Sequence, residues 1–256
     1  MQDPRKQFGP VAESYLTSGV HSNEASLARL IEIARPQGGT LLDVATGAGH
    51  TAFAFAPFAE HVVASDITTE MLAVAGRTAA ERELRNIRLL YAYAEQLPLR
   101  SGTVEGVTCR IAAHHFQDAF RFVHEARRVL RPGGWLLLVD NVGLEDSESD
   151  DELDRIEFLR DPSHVRNLKE SQWLGAFKAA GLEIEFQEVV PKPINARDWL
   201  RRMRVPEPTQ EKIVAQIEES DGWLREYLRP HGSGELLTFH LHELSLLGRA
   251  SPLSPR

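Results

Sequence analysis

The feature that most constrains the fold is TLLDVATGAGHTAFAFA, beginning at Thr40: an apolar run, a glycine-rich turn and a segment with helical spacing. Gly47 and Gly49 permit a tight reversal and a close approach of backbone to a ligand, and the helix that follows offers free N–H groups. From residue 40 onward, short β-branched runs alternate with longer amphipathic segments, the pattern of βαβ units that build a parallel sheet. Strands are predicted near 40–45, 61–66, 87–93, 104–111 and 134–141. Met71, Leu72, Ala75 and Ala79 share one helical face, as do Phe116, Ala119, Phe120, Val123 and Leu130. The second helix should stop at RPGG, where Pro132 and Gly133 break it before WLLLVD.

The fold class that follows is α/β, a doubly wound and mostly parallel sheet. Helices near 7–18 and 22–34 have no strand partner and read as a cap. After 150, SQWLGAFKAAG reads as a helix, and LEIEFQEVV and LLTFHLHELSLLG as strands able to pair antiparallel at a sheet edge. Residues 195–230 read as a helical insertion, and SPLSPR as a frayed end. One domain over 1–256 is expected: a cap to 38, a cofactor-binding core over 39–142, additions on the substrate side over 143–250, and a tail.

The turn alone leaves the ligand open, because GAGHTA also satisfies a dinucleotide fingerprint with Ala52 in its third position. Asp43, four residues before Gly47, would repel a pyrophosphate and attract a cationic sulfonium ligand. Asp66 closes the second strand, where an acid can accept both hydroxyls of a ribose whichever nucleoside is bound. A nicotinamide-dependent oxidoreductase and a nonmethylating binding protein stand as the alternative readings.

In order along the chain, DVATGAG, SDITTEML, YAEQLPL, CRIAAHHF and RRVLRPGGWLLLVDN resemble the class I S-adenosylmethionine-dependent methyltransferases. The similarity is to the family that includes the ubiquinone and menaquinone C-methyltransferases and to its small-molecule branch, and it extends weakly to FGPVAESY and RDPSHVR. The resemblance implies S-adenosyl-L-methionine as cofactor and a Rossmann-like fold. It places Asp43, Gly47 and Gly49 about the methionine part, Asp66 at the ribose, and Ile67 and Met71 on the adenine face, with Ala45 and Ile111 also in the cofactor site. Ala94 and Glu95 fall beside the adenine edge, and Tyr15, in the cap, closes over the cofactor. Where the family commonly has an acid before the AE pair, this chain has Tyr93, so Glu95 is the acceptor left to take its place.

His114 and His115 follow the fourth strand, at the carboxyl ends that line the crevice of such sheets. Either could remove a proton from an attacking oxygen or nitrogen, or simply close the crevice. The acidic run from Glu145 to Asp154 suits a helix N-terminus, with a cationic substrate as the other reading. Arg160, His164 and Arg166 flank a turn at Asp161 and Pro162 on the ligand side. Trp173, Trp199 and Trp223 read as core, Cys109 as an inert strand residue, and His240 and His242 as an edge face with no third metal ligand.

With 29 basic and 37 acidic residues the formal charge is −8, unfavourable for a phosphate backbone or an anionic membrane. The expected partner is a small-molecule substrate, with no nucleic acid and no membrane insertion. A homodimer is one option for the oligomeric state. A single cysteine and the absence of a signal-like apolar run in MQDPRKQFGP make the cytoplasm the expected location.

Overall fold

Seven strands form one sheet in the order β3-β2-β1-β4-β5-β7-β6, in a computed structural model that describes residues 3–15 and 23–251. The strands are β1 (Thr40–Val44), β2 (His61–Asp66), β3 (Ile87–Tyr91), β4 (Val104–Arg110), β5 (Leu130–Asn141), β6 (Leu182–Asn195) and β7 (Thr238–Ala250). The first five pair in parallel, and β7 runs antiparallel to both β5 and β6. This is the doubly wound, mostly parallel arrangement that the alternation predicts, with antiparallel strands at one edge.

Short helices α1 (Pro4–Phe8) and α2 (Ala12–Tyr15) precede α3 (Glu24–Ala34). The remainder of the expected first helix, residues 16–18, lies outside the described residues, as do residues 252–256. On one face of the sheet, α3, α4 (His50–Phe55) and α5 (Thr69–Glu81) cover Leu41, Val62, Ala64, Leu137 and Val139. On the other, α6 (Ala119–Val129) and α8 (Glu170–Ala179) cover Leu42, Val107, Leu136 and Leu138. Consecutive β5 residues therefore pack against opposite layers, as a strand buried on both faces must.

The α6 helix begins later than its apolar spacing suggests, because the Asp118 side chain accepts from the Arg121 N–H and caps it. Its buried stripe is Ala119, Phe122, Val123, Ala126 and Val129; Phe116 lies before it, Leu130 opens β5, and Phe120 faces outward. Burial of Phe122 alone contributes about 2 kcal/mol. RPGG is not a separate turn: β5 runs through it, with a register slip against β4 and Gly133 at φ +77°.

Between β5 and β6 come α7 (Ser147–Arg160) and α8, and between β6 and β7 come α9 (Ala196–Arg202), α10 (Glu207–Glu218) and α11 (Gly222–Leu228). Helices α7, α9, α10 and α11 form a further apolar cluster with Phe239 and Leu241 of β7. The Tyr227 hydroxyl ties this cluster to the sheet, donating to the Val142 carbonyl at 2.6 Å and accepting from the His242 N–H at 3.1 Å. Among the described residues no helix is long and apolar enough to cross a membrane.

Candidate functional site

Strands β1 and β4 are neighbours whose onward connections lead to opposite halves of the sheet, and such a switch point opens a crevice beyond the strand ends. Two residues there hold left-handed backbone despite their side chains: Ala45 at φ +54° and the β-branched Ile111 at φ +51°. Strain of this kind costs about 1–3 kcal/mol per residue and persists where surrounding structure imposes it. At Ile111 the constraint is a hydrogen bond from its N–H to the Val139 carbonyl at 2.7 Å.

The glycine turn is locked to β2. The Gly47 N–H donates to Asp66 Oδ2 at 2.9 Å and the Thr46 N–H to the Ser65 carbonyl at 2.9 Å. Gly47 sits at φ +53°, and a Cβ added there would meet no atom within 4 Å. Gly49 differs: it caps α4 at φ +94° and lines neither lobe of the cleft, and a Cβ there would lie 2.4 Å from the Phe53 ring. Gly47 therefore faces the first lobe with open space, while Gly49 packs against Phe53.

Beyond these ends lies a cleft of about 1100 Å³, adjoined by a second of about 950 Å³. They share Pro4, Ala45, Asp66, Ile67, His115 and Phe116 as common wall, so they act as two lobes of one site. The first lobe gathers Asp43, Ala45, Gly47, Asp66, Ile67, Met71, Ile111, His114 and His115 from the sequence-derived set. The second holds Ala94 and Glu95 together with Tyr93. Glu95 already has work there, since its Oε1 accepts from the Gln117 N–H at 2.9 Å ahead of α6. The side chain of Tyr15 lies outside the described residues; from the cap, Pro4 and Phe8 line the first lobe and Asp3, Pro4 and Arg5 the second.

Asp43 is buried beneath the turn. Its two oxygens accept from the hydroxyls of Thr108 at 2.7 Å and Thr46 at 2.6 Å. Burial pushes its carboxyl up to about 6, with both hydroxyl bonds pulling the other way. Burial likewise raises the Asp66 carboxyl, against the N–H groups of Gly47 and Thr68. The Asp66 carboxylate accepts the Gly47 N–H on Oδ2 and the Thr68 N–H on Oδ1, with further bonds from the Thr68 side chain and the Ile67 backbone, and it lines both lobes.

The histidine pair occupies a short 3₁₀ turn, Ala113–His115, rather than the start of α6. Asp140, near the end of β5, accepts from His114 Nδ1 at 2.6 Å and from the His114 N–H at 2.9 Å. Burial disfavours charge on His114, but the Asp140 carboxylate outweighs it and holds the imidazole above its ordinary value. His115 goes the other way, pushed down to about 3 by burial and by the neighbouring His114, whose ring centroid is 4.1 Å away. Phe8 meets the His115 ring edge-on at 5.0 Å.

No local pattern in CRIAAHHF or LLLVDN marks Arg110 or Asp140 as site residues; Arg110 is buried and lines the first lobe. Of the cluster after β5, Arg160 and Asp161 line that lobe, with the Arg160 guanidinium 4.4 Å from the Trp199 ring centroid. His164 and Arg166 instead pair with the acidic start of α7, through Asp154 at 2.9 Å and Asp150 at 2.6 Å. That internal pairing accounts for carboxylates a cationic substrate could otherwise claim. Cys109, Trp173 and Trp199 are core; Trp223 is 64% exposed. His242 stacks on Tyr227, and among the described residues no group of three or more His, Cys, Asp or Glu is placed to hold a metal.

Residues 42–138 match the family model described as a methyltransferase domain. The chain is 32% identical over 244 residues to the uncharacterized methyltransferase YcgJ of Bacillus subtilis (strain 168), covering 94% of this chain and 96% of that one. A crystal structure of the Bacillus subtilis YcgJ protein superposes with a TM-score of 0.85 at 33% identity, over 89% of this chain and 98% of that one. The ubiquinone/menaquinone biosynthesis C-methyltransferase UbiE of Brucella anthropi is 32% identical over 145 residues, 52% of this chain and 55% of that protein. The similarity over 94% of this chain sets the nicotinamide reading aside: this chain belongs to the S-adenosylmethionine-dependent methyltransferases of Rossmann-like fold.

Proposed function

We propose that the two-lobed cleft binds S-adenosylmethionine and that the chain transfers its methyl group to a small-molecule acceptor admitted beside His114, His115, Arg160 and Met203. The observation that carries this is the pairing of an open Gly47 with Asp66 at the carboxyl ends of β1 and β2, one carboxylate bracing the turn while lining both lobes. Asp66 would hold the ribose, Ile67 and Met71 the adenine face, and Ala94 and Glu95 its edge. Asp43, Ala45, Gly47 and Ile111 would surround the methionine part. The bound sulfonium supplies an electrophilic methyl group and leaves as a neutral thioether.

The residues of the chain would then align the nucleophile, exclude water through Phe8 and Phe116, and accept a proton at His115 or His114. The acidic balance of the chain favours a small molecule over nucleic acid, and the one buried cysteine suits a reducing cytoplasm. Calorimetry with adenosylmethionine, adenosylhomocysteine and NADH tests the reading. Both adenosyl ligands should bind; heat from NADH alone would end it.

A further inference from the structure

His115 is held by a turn that the methyl-transfer reading leaves without a role. Ser163 presents its carbonyl to His115 Nδ1 at 3.1 Å and its hydroxyl at 3.3 Å. That hydroxyl has one proton, and Asp161 Oδ1 takes it at 2.6 Å while also accepting the Ser163 N–H at 2.9 Å. The carbonyl can only accept. Nδ1 must therefore carry the hydrogen, and the lone pair of the neutral ring lies on Nε2. This nitrogen has no hydrogen-bond partner among the described residues, and Asp161 Oδ2, a second acceptor, stands 3.9 Å from it. Both His115 and Asp161 line the first lobe.

We propose that Asp161 and Ser163 are positioning residues that fix His115 as the Nδ1–H tautomer, so that Nε2 receives the hydroxyl proton of an acceptor methylated on oxygen. This rests on the methyltransferase reading and names the acceptor chemistry within it. The acceptor oxygen forms its bond to the methyl carbon with a lone pair, and the electrons of the carbon–sulfur bond remain with sulfur. The O–H proton passes to Nε2. One positive charge thus disappears at sulfur and one appears on the imidazole, beside the Asp161 carboxylate. Oxygen bearing a new methyl group is strongly acidic, so a weakly basic imidazole suffices when the proton moves late.

The surroundings favour a neutral hydroxyl over the alternatives. An ammonium acceptor has no lone pair for the methyl carbon until it has lost a proton, whereas a hydroxyl has one while still bearing the hydrogen that Nε2 takes. A carbon nucleophile without an attached hydroxyl has no polar hydrogen to give to Nε2. The Phe8 and Phe116 rings suit an apolar body behind the hydroxyl.

The test uses the full chain labelled with nitrogen-15 histidine, saturated with adenosylhomocysteine and observed through long-range proton–nitrogen correlations, with His115→Gln to assign the signals. At pH 7 Nδ1 should be protonated and Nε2 bare, and Ser163→Ala, which keeps the carbonyl, should preserve that pattern. Millimolar phenol should shift the Nε2 signal while anisole, lacking the O–H, leaves it in place. A protonated Nε2, a tautomer change in Ser163→Ala, or no difference between phenol and anisole would overturn the proposal. Failure of adenosylhomocysteine to bind in the same samples would instead count against the methyltransferase reading.

Discussion

Asp140 holds His114 at two points, with Oδ1 2.6 Å from the ring Nδ1 and Oδ2 2.9 Å from the backbone N–H, and both side chains are largely shielded from water. Removing one partner of a buried pair strands the other, at about 3–5 kcal/mol. Asp140→Ala should therefore lower the melting temperature by ~10 °C.

The pair also fixes the sign of a pH effect. The Asp140 carboxyl is held below its ordinary value, so its contribution is complete above the ordinary carboxylate range and is lost as pH falls through the lowered value. The His114 imidazole is held above its ordinary value, so its contribution is complete below that value and is lost as pH rises through the raised one. The stability gap between wild type and Asp140→Asn should be widest at about pH 4 to 6.5. Urea titrations from below that range to above it measure the gap, and a gap that does not vary with pH would show that the two groups are not ion-paired.

Asp66 joins β1 to β2 through Gly47 and then reaches the cleft. Asp66→Ala would leave a ribose diol without its acceptor and loosen the turn, so adenosylhomocysteine should bind about tenfold to a hundredfold more weakly. Asp66→Asn, which keeps one acceptor oxygen, should lose less. An unchanged dissociation constant in the alanine variant removes Asp66 from the site.

The two glycines separate binding from folding. Gly47→Val meets no neighbouring atom but forces a β-branched residue to φ +53°, so adenosylhomocysteine binding should be lost while the circular dichroism spectrum persists with a melting temperature lowered by that strain. Gly49→Val drives a branched side chain into Phe53 and should lower the melting temperature or prevent folding. If both variants fold and bind like wild type, the ligand lies elsewhere.

The local parts of this site were legible in the sequence, and the parts assembled across long separations were not. Asp43, Gly47 and Asp66 stand out because a strand, a tight turn and a following strand each leave a pattern in neighbouring residues. The five parallel strands fall close to their expected positions for the same reason. Asp140 and Asp161 act on His114 and His115 from 26 and 46 residues away in the chain, and no periodicity encodes which strand end will face which turn. The start of α6 was misplaced because Phe116 and Phe120 fit an apolar spacing, while the Asp118 cap decides the helix's rotation. That Gly49 also packs against Phe53, four residues on, leaves no mark in the glycine pattern.

Asp43 sets the last prediction, in which stability and ligand affinity respond to pH in opposite directions. Burial raises its carboxyl from 3.8 to about 6, so the native chain retains this proton over a range in which the unfolded chain has lost it. Stability is therefore complete below the unfolded value and declines as pH rises toward about 6, by about 3 kcal/mol in all. Asp43→Asn cannot ionise; its carbonyl can still accept from one of Thr46 and Thr108 while the other hydroxyl turns to accept from the new amide. The variant should be more stable than wild type at pH 7.5 and nearly equal to it at pH 4. Ligand affinity should run the other way, because the ionised carboxylate attracts the sulfonium and ammonium groups of adenosylmethionine. Wild-type binding should strengthen by roughly threefold to tenfold between pH 5 and pH 7.5, a modest gain for a charge acting across several ångströms. The variant should bind weakly and without that slope. Calorimetric titrations at both pH values decide the matter: equal slopes in wild type and Asp43→Asn would mean that Asp43 shapes the turn without acting on the ligand's charge.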